Sequence, residues 1–308
     1  AALCFAYTAA SAATGCRNSL STGGARPEQW SNAHLKRGGW RGSVLSADGK
    51  KVYGIPTNAS TVLEIDLETH SARELGELGG ASIAACDGKL HCGIEKWIGG
   101  VRAPNGNIIG IPYGAESVLE ITPKGEVLTF GVISSPLKRK WLGGALGKNG
   151  LIYAMPYDAA SVLEIDPETR ALSLLGNVGP EPCKWYGAVL GPNEKVYGIP
   201  YAARSVLEID PTLRIVREFT EVSIGWGKWA GGVLAPNGKI YAMPALATSI
   251  LEIDPRKPEA TTEYGMLPGE GTWLTDKWNG GVVAPNGRIY GIPWRTRRVL
   301  EFDPQTKA

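Results

Sequence analysis

Residue types that build reactive centres are scarce in this chain of 308 residues, which has three His, five Cys and three Met. General acid–base catalysis requires a titratable side chain at the site, and hard cations require several oxygen ligands. His34, His70 and His91 lie far apart in the sequence, and His91 with Glu95 forms neither a catalytic triad nor a metal motif. No Walker-type phosphate loop is present. The sequence therefore offers no obvious catalytic, metal or cofactor site.

Charge and long apolar runs are also limited. The 32 Lys and Arg residues nearly balance 30 Asp and Glu residues, which leaves a formal net charge of +2. Nucleic-acid binding is disfavoured, because such proteins are usually strongly basic. No apolar run reaches the length of a membrane-spanning helix, so no transmembrane segment is expected. An apolar content of 43% is typical of a soluble globular protein.

What the chain does contain is one pattern written six times. The unit reads approximately K-W-x-G-G-V-L-A-P-N-G-x-I-Y-G-I-P-Y-x-A-x-S-V-L-E-I-D-P. Repetition at 44 to 57 residues is typical of repeat architectures built from one supersecondary unit. The repeated Trp residues are Trp40, Trp97, Trp141, Trp185, Trp229 and Trp278.

Each unit contains three short strand patterns separated by turns. In the fifth unit they cover residues 232–234, 239–243 and 250–253, and the stretch before the next Lys-Trp can supply a fourth. Val/Ile/Tyr-rich runs between Asn-Gly and Asp-Pro turns favour an antiparallel meander. Such meanders at this period build propellers. We therefore predict an all-β, six-bladed β-propeller of four-stranded antiparallel blades, with a seven-bladed ring as the alternative.

The predicted propeller covers residues 40–308, and residues 1–39 form an N-terminal tail. The last unit runs only to its third strand, so we expect a tail strand such as 3–8 to close the ring. A targeting remnant is the alternative for this small, apolar, acid-free tail. Residues 79–95 are predicted to be an inserted hairpin that protrudes from the ring, with a degenerate seventh blade as the alternative.

The Cys residues leave the cellular compartment open. Cys86 and Cys92 could form a disulfide across the predicted hairpin, which would require an oxidising compartment. An organelle lumen or secretion would then fit a tail that is a targeting remnant; otherwise the protein is cytoplasmic. Five buried or free thiols are the alternative.

The repeated segments I-Y-G-I-P and S-V-L-E-I-D-P-x-T resemble those of NHL, YVTN-type and senescence-marker/gluconolactonase-like propellers. This resemblance covers residues 40–308 and implies the propeller fold. It implies no single activity, because these families include enzymes, scaffolds and binding proteins. Gluconolactonase-like members hold a divalent cation at the channel with acids and an Asn. The innermost strands here, read as G-S-V-L-S and G-G-V-L-A in two units, show no acid, His or Asn.

Propeller geometry predicts that the Lys-Trp pairs and the Pro-Tyr loops share one face around the channel mouth. Aromatic and cationic groups there could bind a protein partner or an acidic or carbohydrate ligand. Arg295, Arg297 and Arg298 make the last of these loops basic. The candidate binding residues are Lys96, Trp97, Tyr113, Lys140, Trp141, Tyr157, Tyr201, Trp294 and Arg297.

A structural role is the alternative for much of this pattern. A Trp at the same place in every unit can act as a wedge between neighbouring sheets. The repeated Glu, such as Glu208, lies in mid-strand, where burial without a partner would be costly. The Lys of the Lys-Trp pair is one candidate partner for it.

Two functions from different classes remain. The first is a non-enzymatic propeller that acts as a binding or scaffold protein, as a subunit of a larger assembly or alone. The alternative is a gluconolactonase- or lyase-like enzyme that acts on a small molecule. No catalytic residue, metal ligand or cofactor is assigned from the sequence.

Overall fold

Six antiparallel sheets follow one another along the chain, one for each copy of the repeat. The structure is a computed structural model and describes residues 35, 39–78, 95–257, 261–265, 267 and 276–308. The tail strand, the hairpin at 79–95 and the Cys86–Cys92 disulfide all involve residues outside these ranges and remain predictions. Within them, no helix is long and apolar enough to cross a membrane.

The first three blades each have four strands. Blade 1 comprises β1 (Trp40–Leu45), β2 (Lys51–Pro56), β3 (Val62–Asp66) and β4 (Ser71–Leu75). Blade 2 comprises β5 (Trp97–Arg102), β6 (Ile108–Pro112), β7 (Val118–Ile121) and β8 (Val127–Phe130). Blade 3 comprises β9 (Trp141–Leu146), β10 (Ile152–Pro156), β11 (Val162–Ile165) and β12 (Leu172–Leu175).

The last three blades repeat this meander. Blade 4 comprises β13 (Trp185–Leu190), β14 (Val196–Pro200), β15 (Ser205–Asp210) and β16 (Ile215–Glu221). Blade 5 comprises β17 (Trp229–Leu234), β18 (Ile240–Pro244), β19 (Ile250–Ile253) and β20 (Thr261–Tyr264). Blade 6 comprises β21 (Trp278–Val283), β22 (Ile289–Pro293) and β23 (Leu300–Phe302). The six-bladed propeller is confirmed, and blade 6 has three strands among the described residues.

The innermost strands begin earlier than predicted. In blade 5 the first strand starts at Trp229 rather than at residue 232. Its pairing with β18 shifts register between Trp229 and Gly232, which marks a β-bulge. Gly231 lies in this bulge with a φ of 71°, a left-handed conformation that favours glycine. The equivalent Gly of all six blades has φ between 68° and 90°, which explains why the repeat keeps Gly two residues after Trp.

Apolar clusters fill the spaces between successive blades. Between blades 1 and 2, Val44, Tyr53 and Ile55 pack against Trp97 and Ile108. Equivalent clusters join blades 2 and 3, 3 and 4, 4 and 5, and 5 and 6. From Trp97 to Trp278, the repeated Trp therefore acts as a wedge between neighbouring sheets, as the structural alternative predicted. Each wedge is also fixed within its own blade, because its indole N–H donates to a carbonyl near the start of the third strand, as Trp229 does to Ser249 at 2.8 Å.

Candidate binding site at the channel mouth

The β-bulge of each innermost strand determines which side chain reaches the channel mouth. A bulge re-aims the residues beside it, and here it separates the buried Trp from the rest of the strand. One residue per blade lies between the Trp and the left-handed Gly, and this position differs in every copy. The six residues are Arg41, Ile98, Leu142, Tyr186, Ala230 and Asn279.

Five of these six side chains line a cavity of about 100 Å³ at the mouth, and Ile98 packs in the adjoining apolar cluster. The other walls come from Asp276 and Trp278, which precede and start β21, and from the Pro-Tyr loops. The loop residues of the cavity are Tyr113, Tyr157, Tyr201 and Trp294. Four of the candidates chosen from the sequence therefore meet in one place.

A hydrogen-bonded group crosses the mouth. Arg41 of blade 1 donates from Nη2 to the hydroxyl of Tyr186 in blade 4 at 2.9 Å. Asn279 of blade 6 lies within hydrogen-bond distance of the same hydroxyl, with Nδ2 at 3.0 Å. The Arg41 guanidinium also lies 5.6 Å from the centre of the Trp294 ring, a cation–π distance. These contacts fix the guanidinium at the rim of the cavity.

The cavity contains charges of both signs. Asp276 and Arg41 both line it, and Glu95 approaches Arg41 with Oε1 3.6 Å from Nη1. Burial raises the pKa of the Asp276 carboxyl above its ordinary value, although Arg295, Arg41 and Lys277 oppose this shift. The site therefore presents a cation and a partly buried carboxyl side by side rather than a field of one sign.

Aromatic rings form a continuous arc along one side of the mouth. The ring centres of Tyr113 and Tyr157 are 5.8 Å apart, and those of Tyr157 and Tyr201 are 6.0 Å apart. Tyr201 then contacts Tyr186 at 5.5 Å and Trp226 at 5.4 Å. The three loop Tyr residues are buried, whereas Trp226 is 58% exposed at the outer end of the arc.

The Lys residues of the Lys-Trp pairs mainly make structural contacts. Lys140 is buried, and Lys96 donates to the carbonyl of Ala59 at 2.8 Å. Lys228 donates to the carbonyls of Ala203 and Gly225 at 2.7 and 3.1 Å. Burial lowers the pKa of Lys228 to about 8 and shifts those of Lys96, Lys140, Lys184 and Lys277 in the same direction. These ammonium groups hold loop carbonyls at the junctions between blades.

The repeated Glu residues have partners other than those Lys. In blade 4, Glu208 accepts from Lys195 at 2.8 Å, from the Tyr197 hydroxyl at 2.9 Å and from Arg217 at 2.7 Å. The suggested pairing with the Lys of Lys-Trp is therefore wrong for blade 4. The cations come instead from the start of the second strand and from the fourth strand.

The candidates from the sequence thus divide into two groups. Trp97 and Trp141 are buried wedges, with 3% and 4% of their surface exposed. Trp294 is partly exposed beside the cavity, and Arg297 is exposed on the same loop. The buried candidates support the mouth from behind, and the exposed ones lie where an approaching molecule could touch them.

Sequence reasoning missed the variable residue after each Trp. The innermost strands were read as starting at the Gly, so the statement that none carries an Asn was wrong: Asn279 lies on β21. Trp226, in the loop before β17, was missed as well. The signal was present in the repeat, as the one position of K-W-x-G-G that changes in every copy.

Among the described residues that line this cavity, Asp276 is the one acidic side chain. Across the part of the chain that the structure describes, no three His, Cys, Asp or Glu side chains come together as a group that could hold a metal ion.

Comparisons with known proteins show the fold. No model of a known protein family matches the chain, and no curated protein matches it. Among solved structures, an inactive variant of virginiamycin B lyase from Staphylococcus aureus matches with a TM-score of 0.66 and 14% identity, over 88% of this chain and 85% of that one. A 6-phosphogluconolactonase-like protein from Bacteroides uniformis matches with a TM-score of 0.61 and 17% identity, over 91% and 92%.

A nutrient-binding protein from Bacteroides thetaiotaomicron matches with a TM-score of 0.55 and 12% identity, over 86% of this chain and 68% of that one. At these identities the likeness concerns architecture, and it supports the resemblance to lactonase-like and related propellers noted from the repeat. The matching proteins carry different functions on one fold, so the function has to be argued from the site.

Proposed function

We propose that this chain is a binding propeller that engages a ligand or partner at the channel mouth on its Lys-Trp face. The observation that carries the proposal is the cavity where Arg41, Tyr186 and Asn279 meet. These residues occupy the position of K-W-x-G-G at which every blade has a different residue. A residue repeated six times serves the blade, whereas six different residues at one position form an asymmetric site.

The surroundings of the cavity support this proposal. Concave sites with aromatic walls and a few fixed polar groups are typical of small-molecule recognition, and because this cavity of about 100 Å³ is smaller than most such pockets, only part of a ligand would enter it. Trp226 and Arg297 extend the site onto an exposed rim, and exposed Trp and Arg often carry interface energy. The opposite face consists mainly of Asn-Gly and Asp-Pro turns that the strands require.

The test measures binding with variants of the two faces. A small-molecule library is screened by saturation-transfer NMR, and each hit is titrated against the Trp294→Ala/Arg297→Ala double variant. We expect hits to bind at least tenfold more weakly, because the rim contacts are lost, while the melting temperature stays within a few degrees.

A double variant of the opposite face, Lys148→Ala/Glu168→Ala, serves as the matched control and should bind as the unchanged protein does. Both of its residues are exposed. If the hits survive the rim changes and are lost in this control, the proposed face is wrong.

The proposal that the protein is a subunit of a larger assembly also predicts the size of the native particle. As a subunit of a larger assembly, the native protein should elute from gel filtration well ahead of its 32.7 kDa. The rim double variant should shift it towards the monomer. Elution of the native protein as a monomer would remove the assembly from the proposal and leave ligand binding.

A lyase- or lactonase-like enzyme is the second candidate, and one observation favours it. Asp276 lies in the cavity with a raised pKa, and shifted pKa values cluster at functional sites. An Asp276→Asn variant should then lose turnover of a lactone or a streptogramin B substrate while it keeps binding. A stoichiometric divalent ion in the purified protein would also favour the enzyme; turnover unchanged in Asp276→Asn would exclude Asp276 as its base.

A further inference from the structure

We infer that the ligand of the channel mouth is an uncharged, hydroxyl-rich molecule with one apolar face, that is, a neutral saccharide. This inference rests on the proposed function and names the class of ligand. Three features of the cavity point to it: its balanced charge, its hydrogen-bonding groups and its flanking indole rings.

The charges select against an ion. Arg41 would attract an anion, but Asp276 lines the same cavity and would repel it. A cation would be attracted by Asp276 and repelled by Arg41. Because Arg41 and Asp276 line one cavity of about 100 Å³, an ion of either sign in it shares the cavity with a residue of like charge. A neutral polar group avoids the repulsion and can hydrogen-bond to both.

The amide of Asn279 favours a hydroxyl group in particular. With Nδ2 beside the Tyr186 hydroxyl, Oδ1 is buried and has no hydrogen-bond partner within the described ranges. With the amide turned over, Oδ1 would accept from Tyr186 and Nδ2 would lack an acceptor. Buried polar groups normally have a partner, so a water molecule or a ligand group in the cavity is expected beside this amide. A hydroxyl both donates and accepts, so it satisfies the amide in either orientation.

One indole ring lines the cavity, and a second contacts a residue of its wall. Trp294 lines the cavity with Arg41 against its ring, and Trp226 is 58% exposed and contacts the cavity residue Tyr201. The C–H face of a sugar ring can pack on an indole while its hydroxyls reach polar groups at the edge. A peptide could also supply a donor and an acceptor, but on two separate atoms, and it offers no such rigid apolar face.

Isothermal titration and saturation-transfer NMR with matched probes test the inference. The neutral probes are maltose, cellobiose and lactose, the charged ones are glucuronate and glucosamine, and a blocked dipeptide amide represents peptides. We expect at least one neutral disaccharide to bind and the charged sugars to bind at least tenfold more weakly.

Variants then locate the binding. Asn279→Ala and Trp226→Ala should each weaken binding of that disaccharide by roughly three- to tenfold, the worth of about one hydrogen bond or one ring contact. Lys148→Ala on the opposite face should leave it unchanged. Circular dichroism and melting curves establish that each variant is folded, and Trp226, being exposed, gives a readout if Asn279→Ala is unstable.

Failure of this inference differs from failure of the proposed function. If only the charged sugars or the peptide bind, and they bind more weakly to the Trp294→Ala/Arg297→Ala variant, the proposed face is right and the neutral saccharide is wrong. If no saccharide binds, or if Asn279→Ala and Trp226→Ala both bind as well as the unchanged protein, the inference is overturned.

Discussion

Blades 4 and 6 are built from nearly the same strand sequences, yet neighbouring residues shield the two blades from solvent to different degrees. In blade 4, Val206 has no exposed surface, and the Glu208 side chain is buried among three donors. At the matching positions of blade 6, Val299 is 65% exposed and the Glu301 side chain is 44% exposed. The burial of a repeat residue is therefore a property of its neighbours as much as of its own blade.

Two neighbours account for the difference. Blade 4 has a fourth strand, on which Phe219 pairs with Val206 and Arg217 contacts Glu208. Blade 6 ends at β23 in the described part of the chain, so the edge of that strand has no such cover. In addition, the apolar clusters of described residues join successive blades from 1 to 6 but do not include one between blades 6 and 1. Among the described residues, the 6/1 junction thus differs from the other five.

The largest expected effect contrasts one buried side chain with its counterpart. Ile199→Ala in blade 4 should lower the free energy of unfolding by about 2–5 kcal/mol, because Ile199 is fully buried in the cluster between blades 4 and 5. Ile292→Ala in blade 6 should cost less than half as much, since Ile292 is partly exposed. Urea unfolding curves measure both; equal losses would show that the 6/1 junction is packed like the others.

The next effect concerns the tail. Deleting residues 1–30 should lower the melting temperature by roughly 5 °C, about 2 kcal/mol for a chain of this size. The reason is the predicted pairing of a tail strand with the edge of β23, which would cover Val299. Val299→Ala should then destabilise the full chain more than the truncated one. An unchanged melting temperature would mean that the tail is a targeting remnant or an interaction arm.

A smaller effect is expected for the repeated carboxylate. Glu208→Gln should cost about 1–3 kcal/mol, because it removes the charge that Lys195 and Arg217 contact in a buried setting. Glu301→Gln should stay within about 0.5 kcal/mol, since its contact with Arg288 is exposed to solvent. Thermal melts of both variants at one ionic strength measure these losses of stability. A large loss of stability in Glu301→Gln would contradict the comparison.

The smallest effect is a dependence on pH. Burial alone would raise the pKa of Glu208, but hydrogen bonds from Arg217, Lys195 and Tyr197 outweigh it and hold this pKa below the ordinary value of 4.5. Glu64 and Glu252 are shifted in the same direction. As the pH falls, these carboxylates are protonated at a higher pH in the unfolded chain than in the folded one. The stability that they contribute to the fold is therefore lost progressively below about pH 4.5.

The matched variants sharpen this measurement. Between about pH 5 and pH 3, Glu208→Gln should lose less stability than Glu301→Gln does, because it no longer carries the shifted carboxyl. Identical slopes in the two variants would show that Glu208 does not contribute to acid unfolding.

Most of the fold could be predicted because the sequence pattern of one blade is repeated six times. The Asn-Gly and Asp-Pro turns and the Val/Ile/Tyr runs indicated the strands of each blade, and repetition removed the ambiguity of any single short run. The start of the innermost strand was missed, since a left-handed Gly such as Gly231 interrupts the alternation that marks a strand.

Less of the candidate site could be predicted. Tyr113, Tyr157, Tyr201 and Trp294 could be placed at the mouth because a shared loop position implies a shared face. The contact of Arg41 with Tyr186 joins residues 145 apart in sequence, and only the closed ring brings them together. The partners of Glu208 also come from different strands, so spacing alone favoured the wrong Lys.

The Arg41–Tyr186 hydrogen bond has a consequence for the ring as a whole. Blades 1 and 4 lie on opposite sides of a six-membered ring, so this bond is a chord across it. Arg41 also touches Trp294 across the 6/1 junction, and that junction cannot widen without disturbing this contact. A ligand that holds these groups would therefore stabilise the closed ring, and closure would raise the affinity for the ligand by the same factor. If the proposed ligand binds there, occupancy of the mouth and closure of the ring would be thermodynamically linked.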